Sequence, residues 1–287
     1  MSKILVTGAA GFIGRNLVAR LQKEGHSVIE FDITDGDVTS VEDLQKFSGL
    51  QIDHVFHLAG KTFVPESWKD PFGFYQVNVM GTTNILEFCR KSGAKLTYIS
   101  SYLYGDPEYL PVDELHPVKS YNPYSQSKVI ADSICQFYAR FYNVPVTIFR
   151  PFNAFGPGQS AVFLIPEIIQ KVMDKGIHEV EVMDLRPKRD YIFIDDLVDA
   201  LVLSLSRLQG IFNIGSGYSK SVEEIIQLVM KYSGISKPYF SKSIVRTNEI
   251  FDLYADISKA EKDLNWKPKT SFDEGIRQCI MAFPREF

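Results

Sequence analysis

Apolar residues along the chain fall into two rhythms. Short unbroken runs, "ILV" at 4–6, "SVIEF" at 27–31, "HVFHLA" at 54–59, "LTYIS" at 96–100 and "VTIFR" at 146–150, alternate with longer stretches of helical period. Runs that lack in/out alternation predict strands buried on both faces. Their alternation with helices predicts a doubly wound α/β fold, a parallel sheet with crossover helices on either side. After residue 150 the rhythm changes. "FNAFGPGQSAVF" reads as a Gly/Pro-rich loop, "LIPEIIQKVMDK" as a helix opened by Pro166, and "YIFIDDLVDALVLSL" as a strand or turn leading into a helix, with Asp195 and Asp196 capping it. Without a repeat, a low-complexity tract or a flexible linker, the second half is expected to pack on the first.

Composition narrows the classes. With 287 residues, 45% of them hydrophobic, the chain can bury a substantial core in one large domain or two smaller ones. A formal net charge of −4 gives no electrostatic reason to expect nucleic acid or an anionic membrane as partner. Cys89, Cys135 and Cys279 are odd in number and set in apolar helical patterns, which suggests buried thiols rather than disulfides or a metal site. The chain enters "KILVTG" at residue 3 with no basic-plus-apolar leader, and no apolar run reaches membrane-spanning length, so a cytoplasmic protein is expected.

Two local motifs carry chemistry. "VTGAAGFIGRNLVARL" sets Gly8, Gly11 and Gly14 between a predicted strand and helix, where the backbone can turn tightly and approach a pyrophosphate at the helix N-terminus. Asp32 ends the second strand 18 residues after Gly14. A carboxylate there accepts from adenosine ribose hydroxyls and repels a 2′-phosphate, so NAD(H) is preferred over NADP(H). In "SYNPYSQSKVIADS", Tyr124 and Lys128 share one helix face. They are either a solvated polar pair or a catalytic phenol with an ammonium that tunes it. At about 5 Å and an effective dielectric of about 20, the ammonium would favour the phenolate by roughly 3 kcal/mol, about two pKa units.

Gly8-x-x-Gly11-x-x-Gly14, Asp32, "HLAG" at 57–60, Asn78, "ISSYLYG" at 99–105 and Tyr124-x-x-x-Lys128 stand in one order. From Met1 to about Ile276 the chain resembles the extended short-chain dehydrogenase/reductase family, in particular its nucleotide-sugar epimerase, dehydratase and reductase branch. The resemblance implies a Rossmann domain over 1–152 and 191–215 that binds the cofactor. A smaller C-terminal α/β domain over 153–190 and 216–287 then binds a nucleotide-diphosphate sugar. It implies Tyr124 as the acid/base, Lys128 as the residue that holds the nicotinamide ribose and lowers the phenol's pKa, and Ser100 as the hydroxyl on the reacting oxygen, with Ser101 the runner-up. Asn78 takes a structural role.

Gly8, Gly11, Phe12, Ile13, Gly14, Asp32, Asp37, Val38, Leu58, Ala59, Gly60, Tyr124, Lys128 and Pro151 would meet the dinucleotide, and no metal is implied. Ser100, Ser101, Tyr102, Asn153, Arg189, Arg246 and Glu249 would meet the nucleotide sugar. Lys61 would reach phosphate or solvent. The helices at 79–90 and from Tyr124 onward carry more apolar surface than one sheet face needs. In related enzymes such helices pair into a four-helix bundle, so a homodimer is expected unless the stripes are intramolecular core.

Two departures bear on the reaction. Family dehydratases place an Asp and a Glu where Ser101 and Tyr102 stand, so dehydration is not expected. Only four residues separate Asp32 from Asp37, although 4-epimerases usually carry a long loop and an extra strand there. A shortened cradle favours an exchanging cofactor and hence a reductase acting on a nucleotide-linked 4-keto-6-deoxyhexose in deoxysugar biosynthesis. The alternatives are a 4-epimerase with retained NAD and a nucleotide-binding regulatory protein that does no chemistry.

Overall fold

The computed structural model describes residues 1–206, 209–245 and 248–284. In chain order the elements are β1 (Lys3–Thr7), α1 (Phe12–Lys23), β2 (Ser27–Phe31), α2 (Val41–Gln45), β3 (His54–His57), α3 (Val64–Ser67), α4 (Pro71–Tyr75), a π-helical turn (Gln76–Gly81) running into α5 (Thr82–Ser92), β4 (Lys95–Ile99), α6 (Pro123–Phe141), β5 (Val146–Pro151), β6 (Asn153–Phe155), α7 (Leu164–Met173), β7 (Val180–Val182), β8 (Lys188–Phe193), α8 (Ile194–Leu203), β9 (Gly210–Ile214), β10 (Ser219–Ser221), α9 (Val222–Ser233), β11 (Tyr239–Ser241), α10 (Ser258–Leu264) and α11 (Phe272–Met281).

All five apolar runs become strands of one parallel sheet, ordered β2-β1-β3-β4-β5-β9. Leu5 of β1 sits in register with Ile29 on one side and Val55 on the other, and β1, β3, β4 and β5 are buried almost throughout. Both faces are covered, as unalternated strands require. On one face Leu17 and Leu21 of α1 join Leu197 and Leu201 of α8. On the other, Ile85 of α5 joins Ala131 and Cys135 of α6. The first of these cores continues without a break into Ile168 of α7, Ile225 of α9 and Ile276 of α11, so the second half packs directly on the first.

That second half holds two small sheets, β10-β8-β6 and β11-β7. The sixth strand of the large sheet, β9, comes from "GIFNI", a run absent from the strands read in the sequence. The Gly/Pro-rich segment begins as a strand, β6, because Asn153–Phe155 pairs with Tyr191–Phe193 of β8. Helix α7 opens at Leu164, two residues before Pro166, which the first helical turn tolerates since its amide needs no partner there.

The capping role expected of Asp195 and Asp196 is corrected. Helix α8 has Phe193 at its N-cap and no side-chain cap. Asp196 is 3% exposed, and its carboxylate accepts from the amides of Lys269 and Thr270, pinning the segment that leads into α11. A buried carboxylate needs donors, and these two amides supply them. The three cysteines are free and buried, as expected. Among the described residues no helix is long and apolar enough to cross a membrane.

Candidate active site

A cleft of about 1540 Å³ lies between the C-terminal ends of the large sheet's strands and the small-sheet half. At its floor the turn from β1 to α1 accepts glycine for two separate reasons. Gly8 has φ +71°, and a Cβ there would stand 2.6 Å from the Ala59 amide nitrogen. A Cβ on Gly14 would stand 2.1 Å from the Gly8 carbonyl oxygen, so α1 sits too close to the turn for any side chain. Gly11 is the N-cap and adds no side chain of its own, which leaves the first-turn amides facing the cleft. Phe12 and Ile13 line the same wall.

Asp32 stands at the tip of β2, with one oxygen accepting from the Ala10 amide at 2.8 Å and the other from Ile33 at 2.8 Å. The chain turns at once after it, Asp35 and Gly36 both donating back to the Asp32 carbonyl. Asp37 then caps the Thr39 amide and Val38 is buried, its carbonyl held by Asn84. Leu58, Ala59 and Gly60 follow β3 along the opposite rim, and Pro151 closes the end of β5. Asn78 fastens this rim: it accepts from the Lys61 amide at 2.9 Å and donates to the Lys61 carbonyl and to Ser127. A cradle that a Cβ would fill, exposed helix-start amides and a carboxylate at the strand tip fit a dinucleotide.

Helix α6 carries the reactive pair. Its start is fixed by a capping box, Asn122 accepting from the Ser125 amide and the Ser125 hydroxyl serving the Asn122 amide, with Pro123 at the first helical position. Lys128 is buried and its ammonium donates to the Ile99 carbonyl at 2.5 Å, 4.4 Å from the centre of the Tyr98 ring. Burial lowers its pKa to about 8, against the opposing pull of Cys135 and Asp132.

Burial likewise dominates at Tyr124, raising its phenol to about 12 while a hydrogen bond with Ser101 works the other way. Desolvation is the leading influence on the phenol, while the Lys128 ammonium is engaged by the Ile99 carbonyl. Ser100 does not face the phenol either. Its hydroxyl donates to Asp132 at 3.0 Å. Tyr124's hydroxyl is hydrogen-bonded to Ser101, the runner-up, while Ser100 at the end of β4 is engaged by Asp132 two turns further along α6.

The substrate wall behaves less simply than the sequence suggests. Tyr102 donates to Asn153 at 3.1 Å, and Asn153 donates in turn to the Asp190 carbonyl at 2.9 Å. Arg189 and Glu249, both expected on the nucleotide, meet each other at 2.7 Å, and Arg189 also donates to the carbonyls of Lys188 and Ile250. Lys61 pairs with Asp70 at 2.7 Å and Glu66 at 3.4 Å, which ties it to the rim. Tyr102, Asn153, Arg189, Glu249 and Lys61 all line the cleft. Arg246 lies outside the described residues.

Two features had no place in the sequence reading. Arg15, just past the glycine turn, donates to the Gly158 carbonyl and so spans the cleft between the two halves. Arg150 and Asp132 form a buried pair that also holds Ser100 and Tyr104. Spacing offered a signal for Asp132, which stands four residues after Lys128 on the same helix.

A doubly wound sheet, a glycine turn at its first strand and a Tyr–Lys pair beside it define the extended short-chain dehydrogenase/reductase class. Residues 4–215 match the NAD dependent epimerase/dehydratase family, and the chain belongs to that family of enzymes. It is 31% identical to the UDP-glucose 4-epimerase of Mycolicibacterium smegmatis, covering 98% of each chain. It is 27% identical to the GDP-6-deoxy-D-mannose reductase of Pseudomonas aeruginosa, covering 97% of this chain and 96% of that one. Among solved structures, RMD from Pseudomonas aeruginosa complexed with NADPH superposes with a TM-score of 0.90 at 27% identity, covering 98% of both chains. UDP-glucose 4-epimerase from Thermotoga maritima with UDP-glucose does so with a TM-score of 0.91 at 26% identity, again covering 98% of both.

Proposed function

We propose that the protein reduces the carbon 4 carbonyl of a nucleotide-diphosphate 4-keto-6-deoxyhexose, using NADH that is exchanged every cycle. The observation that carries this reading is the short adenosine side of the cleft. Strand β2 is the edge of the large sheet, and the chain turns immediately after Asp32. Few residues there can hold a dinucleotide between turnovers.

When bound, NADH supplies the hydride. Tyr124, pushed up to about 12, is protonated at neutral pH and positioned to give its proton to the carbonyl oxygen. An epimerase, whose first step is oxidation, would need the phenolate. Ser101, hydrogen-bonded to the phenol, orients it beside the same oxygen and steadies the phenolate left by proton transfer, and Lys128 contributes a positive charge below about pH 8. Asp32 favours NADH over NADPH, since its carboxylate occupies the place a 2′-phosphate would need. Exposed Met80, Phe137 and Phe141 on the helical face formed by the π-turn, α5 and α6 support pairing of two copies as a homodimer.

A second reading, a 4-epimerase with retained NAD, is favoured by the higher identity to the mycobacterial epimerase than to the reductase. One comparison separates them. Under the proposal, purified protein carries little bound NAD and consumes NADH stoichiometrically with a dTDP-, UDP- or GDP-linked 4-keto-6-deoxyhexose. Protein that arrives with near-stoichiometric NAD and interconverts UDP-glucose and UDP-galactose without added cofactor would falsify it.

A further inference from the structure

We propose that Tyr102 recognises the hydroxyl on sugar carbon 3, beside the reacting carbonyl, and does so only as a hydrogen-bond acceptor. The inference rests on the sugar-binding reading of the cleft given above. Its first step is the amide of Asn153. The nitrogen of that amide donates to the Asp190 carbonyl at 2.9 Å, and a carbonyl can only accept. The amide's orientation is thereby determined, and its oxygen faces Tyr102 at 3.1 Å. That oxygen also only accepts, so the single proton of the Tyr102 hydroxyl is committed to it. Lone pairs are all the hydroxyl has left for the cleft that Tyr102 and Asn153 line.

The arrangement is rigid on both sides. Tyr102 stacks on buried Phe152 with ring centres 5.3 Å apart and 19° between planes. Asn153 is paired across β6–β8 with Tyr191. Tyr102 directly follows Ser101 in the chain, and both line the same cleft as Tyr124. The cleft therefore presents the hydrogen-bonded pair Tyr124 and Ser101, which together have one proton left to donate, with one fixed acceptor beside them. The donor matches a carbonyl and the acceptor matches a hydroxyl, the pattern of an α-hydroxy ketone. In a 4-keto-6-deoxyhexose the neighbour of carbon 4 that bears a hydroxyl is carbon 3.

Tyr102→Phe removes only the oxygen and keeps the stacked ring. The test measures kcat/KM for parent and variant with NADH and dTDP-4-keto-6-deoxyglucose, and again with its 3-deoxy counterpart, alongside the Kd for NADH. The parent should prefer the 3-hydroxy substrate by about 10- to 30-fold, the variant should lose about that factor on it, and the variant should show almost no preference. Equal losses on both substrates would make Tyr102 a prop for the site and overturn the proposal, as would no loss at all. An unchanged NADH Kd reports an intact fold. If the parent reduces neither sugar, it is the reductase reading that fails. The same cycle is then run as epimerisation of UDP-glucose and 3-deoxy-UDP-glucose, where a preference that survives Tyr102→Phe overturns the proposal and one that vanishes supports it.

Discussion

Arg150→Met tests the buried pair that holds Ser100 and the base of the site. In the parent, Arg150 Nε meets Asp132 Oδ2 at 3.0 Å and Nη2 meets Oδ1 at 3.1 Å, a two-pronged contact with the side chains 4% and 2% exposed. Burial alone would lower the guanidinium's pKa, but the hydrogen bonds and charge of Asp132 outweigh it and hold Arg150 above its ordinary value. Methionine fills much of the same volume and leaves the carboxylate with two neutral donors, Ser100 at 3.0 Å and Gln136 at 2.7 Å. Removing one partner of a buried ion pair costs about 3–5 kcal/mol, and the two surviving donors put this case near about 3 kcal/mol.

That is a large share of the roughly 5–15 kcal/mol that holds a folded domain together, so equilibrium urea unfolding resolves it easily. The double variant Asp132→Leu/Arg150→Met, which removes both charges, should recover most of the stability. A loss below about 1 kcal/mol for Arg150→Met, or a double variant as unstable as two independent losses together, would refute the reasoning.

Tyr124→Phe should lose nearly all turnover in a single-turnover assay while binding NADH with parental affinity; retained turnover removes the phenol from the mechanism. Asp32→Ala should narrow the preference for NADH over NADPH in kcat/KM, and a parent that favours NADPH contradicts the role given to this carboxylate. Lys128 has a folded pKa of about 8 against an ordinary 10.5, so unfolding takes up a proton between those values and its contribution to stability rises with pH across that window. Below the window its buried charge costs up to about 3 kcal/mol, so Lys128→Met should raise the unfolding free energy at neutral pH, by less at high pH, while turnover is lost. Urea titrations that show no gain at neutral pH would mean that the bond to Ile99 outweighs the burial.

Properties set by neighbours along the chain were open to inspection in the residues themselves. Unalternated apolar runs specify strands covered on both faces, three glycines spaced by two specify a turn that a Cβ would block, and Tyr124 and Lys128 four apart must share a helix face. What only the tertiary structure decided depends on which distant segments meet. That Asp132 engages Ser100 while Ser101 meets Tyr124 depends on how the end of β4 packs against α6, which carries both Asp132 and Tyr124. Arg189 and Glu249 are 60 residues apart and become partners through the chain's return past β8. Asp196 caps no helix because the amides of Lys269 and Thr270 arrive to use it.

Strand β9, short and bounded by glycines, becomes a strand by pairing with β5 rather than by any strong period of its own. The phenol's proton affinity belongs to the same group. Spacing puts the ammonium on the same helix face, but burial by the folded chain is the leading influence on the phenol and raises it.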